Sequence, residues 1–164
     1  MKKGFTLIEL LVSIGIIAVL SAGIISVIGP GSARYSRDTK RQTDLETVVT
    51  ALAMYRNDLG RYPNCAAGAA SCAISTLGTA LSTTYLQTYP TDPGAGSGRI
   101  YRYRPYATNA SGTPIDCNNT TVRCTKFNIC AGSEKDTTTN NDASCGSATC
   151  GSASQHCVFV KANP

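Results

Sequence analysis

A single carboxylate, Glu9, interrupts an apolar run that extends from Phe5 to Ile28. A carboxylate placed in hydrocarbon costs on the order of 3 kcal/mol by insertion scales, so Glu9 calls for a cationic partner. No Lys or Arg occurs between Lys3 and Arg34. Hydrolysis of the Gly4–Phe5 peptide bond would create a cation, the α-amine of Phe5, four positions before Glu9. At contact distance and an effective dielectric near 20 such a pair recovers about 4 kcal/mol. Glu9 would also lie in the first turns of the resulting helix, where a negative charge complements the dipole. The chemistry encoded here is ion pairing at a chain end made by proteolysis.

The second reactive set is the cysteines: Cys65, Cys72, Cys117, Cys124, Cys130, Cys145, Cys150 and Cys157. Their number is even and all lie beyond the apolar run, a distribution that fits disulfides formed outside the cytoplasm. A zinc site is the competing reading, but Cys-x2-Cys spacing is absent and the only histidine, His156, abuts Cys157. Local bridges Cys65–Cys72 and Cys145–Cys150 are expected because each closes a short loop between near neighbours, out of about a hundred possible connectivities.

Other chemistry has little to work with. One histidine in a Ser/Cys-rich tail has no base-orienting partner and no nucleophile motif around it, so no enzyme is expected and His156 reads as a surface or strand-edge residue. The stretch Arg99-Ile100-Tyr101-Arg102-Tyr103-Arg104-Pro105-Tyr106 interleaves cations with aromatics, the composition of a single-stranded nucleic-acid platform. Strand alternation, however, puts Arg102 and Arg104 on one face and Tyr101 and Tyr103 on the other, which favours a half-buried strand. A formal net charge of +5 is only mildly basic and falls short of a dedicated nucleic-acid binder.

These groups must be positioned by a few elements. As a helix at 1.5 Å per residue, the run from Phe5 to Ile28 is about 36 Å long, enough to cross a bilayer core. Preceded by Lys2-Lys3 and with small residues near Ser21-Ala22-Gly23, it also resembles a secretory signal peptide, but its length and Glu9 argue against a plain one. Gly29-Pro30-Gly31 ends the run, and a break or kink is expected there, either as a bend in a stem or as an exit loop from the membrane.

An amphipathic helix is expected from Ser32 to Leu59, with Leu45, Val48, Val49, Leu52, Tyr55 and Leu59 on its apolar stripe. Arg41, Asp44, Glu46, Arg56 and Asp58 fall largely on other faces. Gly60 and Pro63 stop it. Ile74 to Leu86 is a short-helix candidate. Strand candidates are Ile100–Arg104, Val122–Cys130 and Cys157–Lys161. The polar stretch Gly132–Gln155 is too long to stay structureless unless it is tied down, a task for Cys145 and Cys150.

The segment Lys2-Lys3-Gly4-Phe5-Thr6-Leu7-Ile8-Glu9-Leu10-Leu11-Val12 resembles the class III signal sequence of type IV pilins and type II secretion pseudopilins. Ala51 to Pro63, with Tyr85-Leu86 and Tyr89-Pro90-Thr91-Asp92-Pro93, is similar to the major pseudopilin and its pilin relatives. The resemblance covers about the first hundred residues. It implies cleavage after Gly4 by a membrane-embedded prepilin peptidase, N-methylation of Phe5, and a contact between Glu9 and the Phe5 amine of a neighbouring subunit. Relatives often carry the stem proline about one turn earlier than Pro30.

The major pseudopilins also bind calcium in a loop of the head. Asp116, Asp136 and Asp142 lie in polar loops here, but no Asp-x-Asp-x-Asp-Gly pattern exists, so no cofactor is expected and calcium remains an outside candidate.

The resulting expectation is an α+β protein: leader 1–4, transmembrane and filament-core helix 5–28, amphipathic stem helix 32–59, and a small disulfide-rich head 60–164 on an antiparallel sheet. Its expected role is a structural subunit, held in the cytoplasmic membrane through one span and then polymerised into an extracytoplasmic type IV pilus. Its expected partners are related subunits, the prepilin peptidase and an assembly platform protein. Alternatives are a secretion pseudopilin and a minor pilin that binds DNA through the Arg/Tyr strand.

Overall fold

The computed structural model describes residues 4–27, 29–66, 69–152 and 154–162. Met1, Lys2 and Lys3 of the expected leader, and Ile28 at the end of the apolar run, lie outside them. The run forms helix α1, Leu7–Val27. Thr6 precedes its first turn, and the Thr6 Oγ1 accepts the Glu9 N–H at 3.4 Å. Thr6-x-x-Glu9 thus opens the helix as the first half of a capping box. From Leu7 to Ile24 no residue is buried against the rest of the chain.

Helix α2, Pro30–Leu59, follows Gly29, whose backbone is extended at φ −80° and ψ 172°. The expected interruption is therefore at Gly29. Pro30 opens the new helix, where its missing N–H breaks no intrahelical bond, and Gly31 falls inside α2. The helix stops at Gly60, which adopts φ 66° and donates its N–H to the Arg56 carbonyl at 2.7 Å. Left-handed backbone of this kind suits glycine.

Leu45, Val48, Ala51, Leu52 and Tyr55 form the buried face of α2. Two expectations for this helix need correction. Leu59 is 49% exposed, because it is the last residue of the helix and the chain turns at Gly60 to bury Tyr62 instead. Arg41, expected on a solvated face, is fully buried among carboxylates.

The α2 face packs on helix α3, Gly78–Tyr85, and on an antiparallel sheet. The segment expected as one short helix is a 3-10 turn, Ile74–Leu77, followed by α3. The sheet contains β1 (Cys72–Ala73), β2 (Arg102–Thr108), β3 (Pro114–Asp116), β4 (Lys126–Ala131) and β5 (Phe159–Ala162). The order is β1-β2-β4-β5, with β3 pairing further along β2. The central register sets Tyr103 opposite Ile129 and Pro105 opposite Phe127. Pro105 lies between the β1 pairing, which ends at Tyr103, and the β3 pairing, which begins at Tyr106.

β1 and β3 have no counterpart among the expected strands, both being too short to show alternation. β4 begins later than expected because Val122 to Cys124 belong to a turn. There Asn118 Oδ1 accepts the N–H groups of Thr120, Thr121 and Val122, and Asn119 Oδ1 accepts that of Cys124. Asparagine side chains compete with a strand ladder in this way.

Strand alternation divides the head into three layers. Tyr103, Phe127 and Ile129 face α2, and Tyr62 meets Phe127 edge-on with ring centroids 4.7 Å apart. Cys130 faces the other way, into a second cluster with Cys145, Cys150, Cys157 and Val160. The bridges are Cys65–Cys72, Cys117–Cys124, Cys130–Cys145 and Cys150–Cys157.

Cys65–Cys72 matches expectation, but Cys145–Cys150 is corrected. Cys145 closes the 3-10 turn Asp142–Cys145 under the sheet and meets Cys130 on β4, while Cys150 is returned to Cys157, just before the last strand. The polar stretch Gly132–Gln155 is thus tied down by bonds to its flanks rather than by one within it.

Candidate functional site

Two places carry the chemistry: the exposed α1 helix with its lone carboxylate, and a buried charge network at the start of α2. On α1, large apolar side chains project outward, among them Leu7, Ile8, Leu11, Ile17 and Leu20. The Glu9 backbone is engaged, since its N–H reaches Thr6 and its carbonyl accepts the Ser13 hydroxyl at 2.7 Å. Its side chain has no cation within ion-pair distance among the described residues. Glu9 is therefore a carboxylate on an uncovered apolar rod that the rest of the described chain does not neutralise. Gly4 and Phe5 lie in the non-helical lead-in to α1 and are exposed.

Further along the stem, in the first half of α2, Arg41 holds three carboxylates. It contacts Asp38 at 2.6 Å, Asp92 at 2.8 Å and Glu134 at 2.7 Å. Arg37 adds a forked contact to Glu134. Asp38 in turn accepts the Ser133 hydroxyl and the N–H groups of Glu134 and Lys135, while Asp92 accepts the N–H of Gly94. One turn of α2 is thereby clamped to the 92–94 loop and to the loop after β4.

Electrostatics follow from these contacts. The Arg37 hydrogen bonds, opposed by burial and aided by Arg41, hold the Glu134 carboxyl at about 2. Burial pushes Asp38 up, but its bonds from Ser133, Glu134 and Lys135 outweigh it and the carboxyl stays below its usual range. Burial likewise works against a charged Arg41, yet Asp92 and Glu134 keep it above the ordinary arginine value. Asp38, Arg41 and Glu134 are thus all charged at neutral pH. Beside them, Tyr101 donates its hydroxyl to Asp44 at 2.6 Å, and burial together with that bond raises the phenol far above its ordinary value.

Sequence reasoning misses this network because its members are separated along the chain. The remaining candidates are placed as follows. Arg102 and Arg104 share the face of β2 opposite Tyr101 and Tyr103, as alternation predicts. That face is occupied: Arg102 Nε donates to the Thr149 carbonyl and Arg104 Nη1 to that of Ala143, each at 2.9 Å, so both arginines tether the cystine-rich loop.

Asp116, Asp136 and Asp142 are not gathered into one cluster among the described residues. Asp136 accepts from the backbone and hydroxyls of Thr138 and Thr139, which lower its pKa. Asp142 bonds the Cys157 N–H and the His156 ring, which gives His156 a loop-fastening role. Cys130, Cys145 and Cys157 do bring their sulfurs together. All three are oxidised in bridges and so have no thiolate to offer a metal.

Residues 1–25 match the family model described as the prokaryotic N-terminal methylation motif. No curated protein and no solved structure is detectably similar to the chain.

Proposed function

From a chain that carries a class III prepilin-like leader of the type IV pilin and pseudopilin family, we infer a structural subunit that is cut after Gly4, N-methylated at Phe5 and polymerised into an extracytoplasmic type IV pilus. The observation that carries this reading is Glu9, a carboxylate with no cation in ion-pair distance among the described residues, on an apolar helix that is uncovered from Leu7 to Ile24. Lipid covers such a surface before assembly. A bundle of stems covers it afterwards, and the Phe5 amine of a neighbour then supplies the missing charge.

Each added subunit would be placed axially where that pair forms, because a one-turn slip leaves two uncompensated charges in an apolar surround. Eight cysteines, all in bridges, suit a head that works outside the cell. They are also why a pilus subunit is preferred here to a secretion pseudopilin. Prepilin peptidase and an assembly platform are the partners this route requires, and the leader suits a structural subunit better than an enzyme.

The test is Glu9→Ala in the organism's own assembly system. Expected is normal membrane insertion and leader removal with filament yield reduced at least tenfold. Intact mass of the filament protein should show loss of Met1–Gly4, one added methyl group and the mass of four disulfides. Filaments of normal yield from the Glu9→Ala chain, or Met1 retained in them, would overturn the reading.

A further inference from the structure

Beside the charge network lies an open cavity of about 470 Å³, whose walls include Arg34, Arg37, Gly94, Arg99, Glu134 and Gln155. Three guanidiniums face one carboxylate, and both oxygens of that carboxylate already accept hydrogen bonds from Arg37, one of them also from Arg41. Arg34 is exposed and Arg99 half-buried. Neither has a carboxylate within ion-pair distance among the described residues.

Arg99 is held in place by construction. A Cβ at Gly94 would fall 2.7 Å from Arg99 Cδ, and one at Gly132 would fall 2.7 Å from its Nη1, so glycine at both positions makes the slot in which the side chain runs. Arg99 Nη1 is buried and has no hydrogen-bond acceptor among the described residues. A buried donor left in that state is costly, and the half-buried guanidinium that carries it lines the cavity, where an oxyanion would offset its charge. Planar guanidinium forks match the oxygens of a phosphate better than any other common anion except a carboxylate.

Position on the chain selects the source of the phosphate. α1 is about 32 Å long, which matches the hydrocarbon core, and the polar headgroup layer adds several ångströms on each side. Arg34 and Arg37 lie in the first two turns of α2, directly after α1 and the Gly29 interruption. Along the helix they follow the end of α1 by about 10 and 15 Å, so guanidiniums on stems several ångströms long can reach back to the headgroup layer.

We propose that this cavity binds the phosphate of an anionic phospholipid headgroup while α1 is in the membrane, through Arg34, Arg37 and Arg99. The proposal rests on the reading of α1 as a membrane segment. Extraction of the stem into a filament would pull the head away from that phosphate, so lipid release becomes part of assembly.

The experiment reconstitutes the full-length chain into phosphatidylcholine vesicles with and without phosphatidylglycerol. It then counts the lipids retained on the protein by native mass spectrometry after mild detergent extraction. The wild-type chain should retain phosphatidylglycerol over phosphatidylcholine by on the order of tenfold. Arg34→Gln with Arg99→Gln should abolish the preference, Arg34→Gln alone should reduce it severalfold, and the control Lys40→Gln, on the same helix but outside the cavity, should leave it intact.

Equal phosphatidylglycerol retention by the wild type and Arg34→Gln would overturn the proposal, even if the double variant misfolds. A parallel titration with inorganic phosphate separates the two sources. Saturable phosphate binding without any phosphatidylglycerol preference overturns the lipid assignment. Failure of the chain to float with either vesicle type would instead strike the membrane reading beneath it.

Discussion

Arg41 and Asp92 stand 51 positions apart in the chain and meet as a planar pair, with Nε donating to Oδ2 at 2.9 Å and Nη2 to Oδ1 at 2.8 Å. Neither side chain is exposed. Asp92 lies in the loop that leads into β2, so this contact seats that loop on the stem. Because the pair is forked and shared with Asp38 and Glu134, it fixes orientation as well as distance.

Arg41→Met should be among the most damaging single substitutions in the head. It leaves Asp38, Asp92 and Glu134 facing one another without their common cation, a loss of about 3–5 kcal/mol for a broken buried pair. Arg41→Lys should recover part of this, since an ammonium restores charge but not the fork. Urea unfolding of the detergent-solubilised chain measures both. A loss below about 1 kcal/mol for Arg41→Met would show that the network does not hold the loop.

Acid should weaken the head in a defined window. The folded Glu134 carboxyl titrates at about 2 against an ordinary value of 4.5, and Asp38 is lowered as well. A depressed carboxyl adds stability above its unfolded value and loses it as pH falls toward the folded one. The melting temperature should therefore change little from neutral pH to about 5, then fall between 4.5 and 2. Arg37→Gln should make that decline shallower, because the first cause of the Glu134 shift is gone.

The four bridges should differ in worth according to the loop each closes. Cys130–Cys145 spans 15 positions and the other three span 7 each. Chain-entropy arguments assign about 3 kcal/mol to the longer loop and roughly 2 to the shorter ones. Peptide mapping under non-reducing conditions should recover Cys130 with Cys145 and Cys150 with Cys157. The double replacement Cys130→Ser with Cys145→Ser should lower stability most, and a Cys145–Cys150 peptide in the native protein would contradict the fold.

Gly94→Ala should be costly and Gly132→Ala mild, although both add a methyl group beside Arg99. At Gly94 the new Cβ meets Arg99 Cδ at 2.7 Å, Arg41 Nη2 at 3.0 Å and Asp92 Oδ1 at 3.1 Å, so it pushes into the buried pair itself. At Gly132 the new Cβ meets the terminal Nη1 of Arg99 at 2.7 Å, which can shift along its slot, and the His156 carbonyl at 3.3 Å, and it leaves the Arg41–Asp92 pair untouched. Thermal unfolding of the two variants should separate them by several degrees.

The parts of the molecule written in local signals are legible in the amino-acid sequence. Glu9 in its apolar run, the stop at Gly60, the alternation of Tyr101 to Arg104 and the break before Pro30 each depend on neighbours within a few positions. The Arg41 network is not legible, for the opposite reason. Helical periodicity sorts residues by type and sends an arginine outward, and nothing near Arg41 announces that Asp92 and Glu134 will arrive from loops far along the chain. Leu59 misleads similarly, because stripe membership says nothing about where the partner surface ends. Cys145 is mispaired when proximity in sequence stands in for the strand that carries Cys130 to it.

The bridges follow one another along the chain without overlap, each closed before the next begins. That serial order has a mechanical meaning. Under tension an oxidised head can release chain only from the segments between its loops, because the residues inside each loop are bypassed by a covalent link. Reduction would free them and lengthen the tether, so the oxidised state sets how far a loaded head can stretch before its sheet is lost.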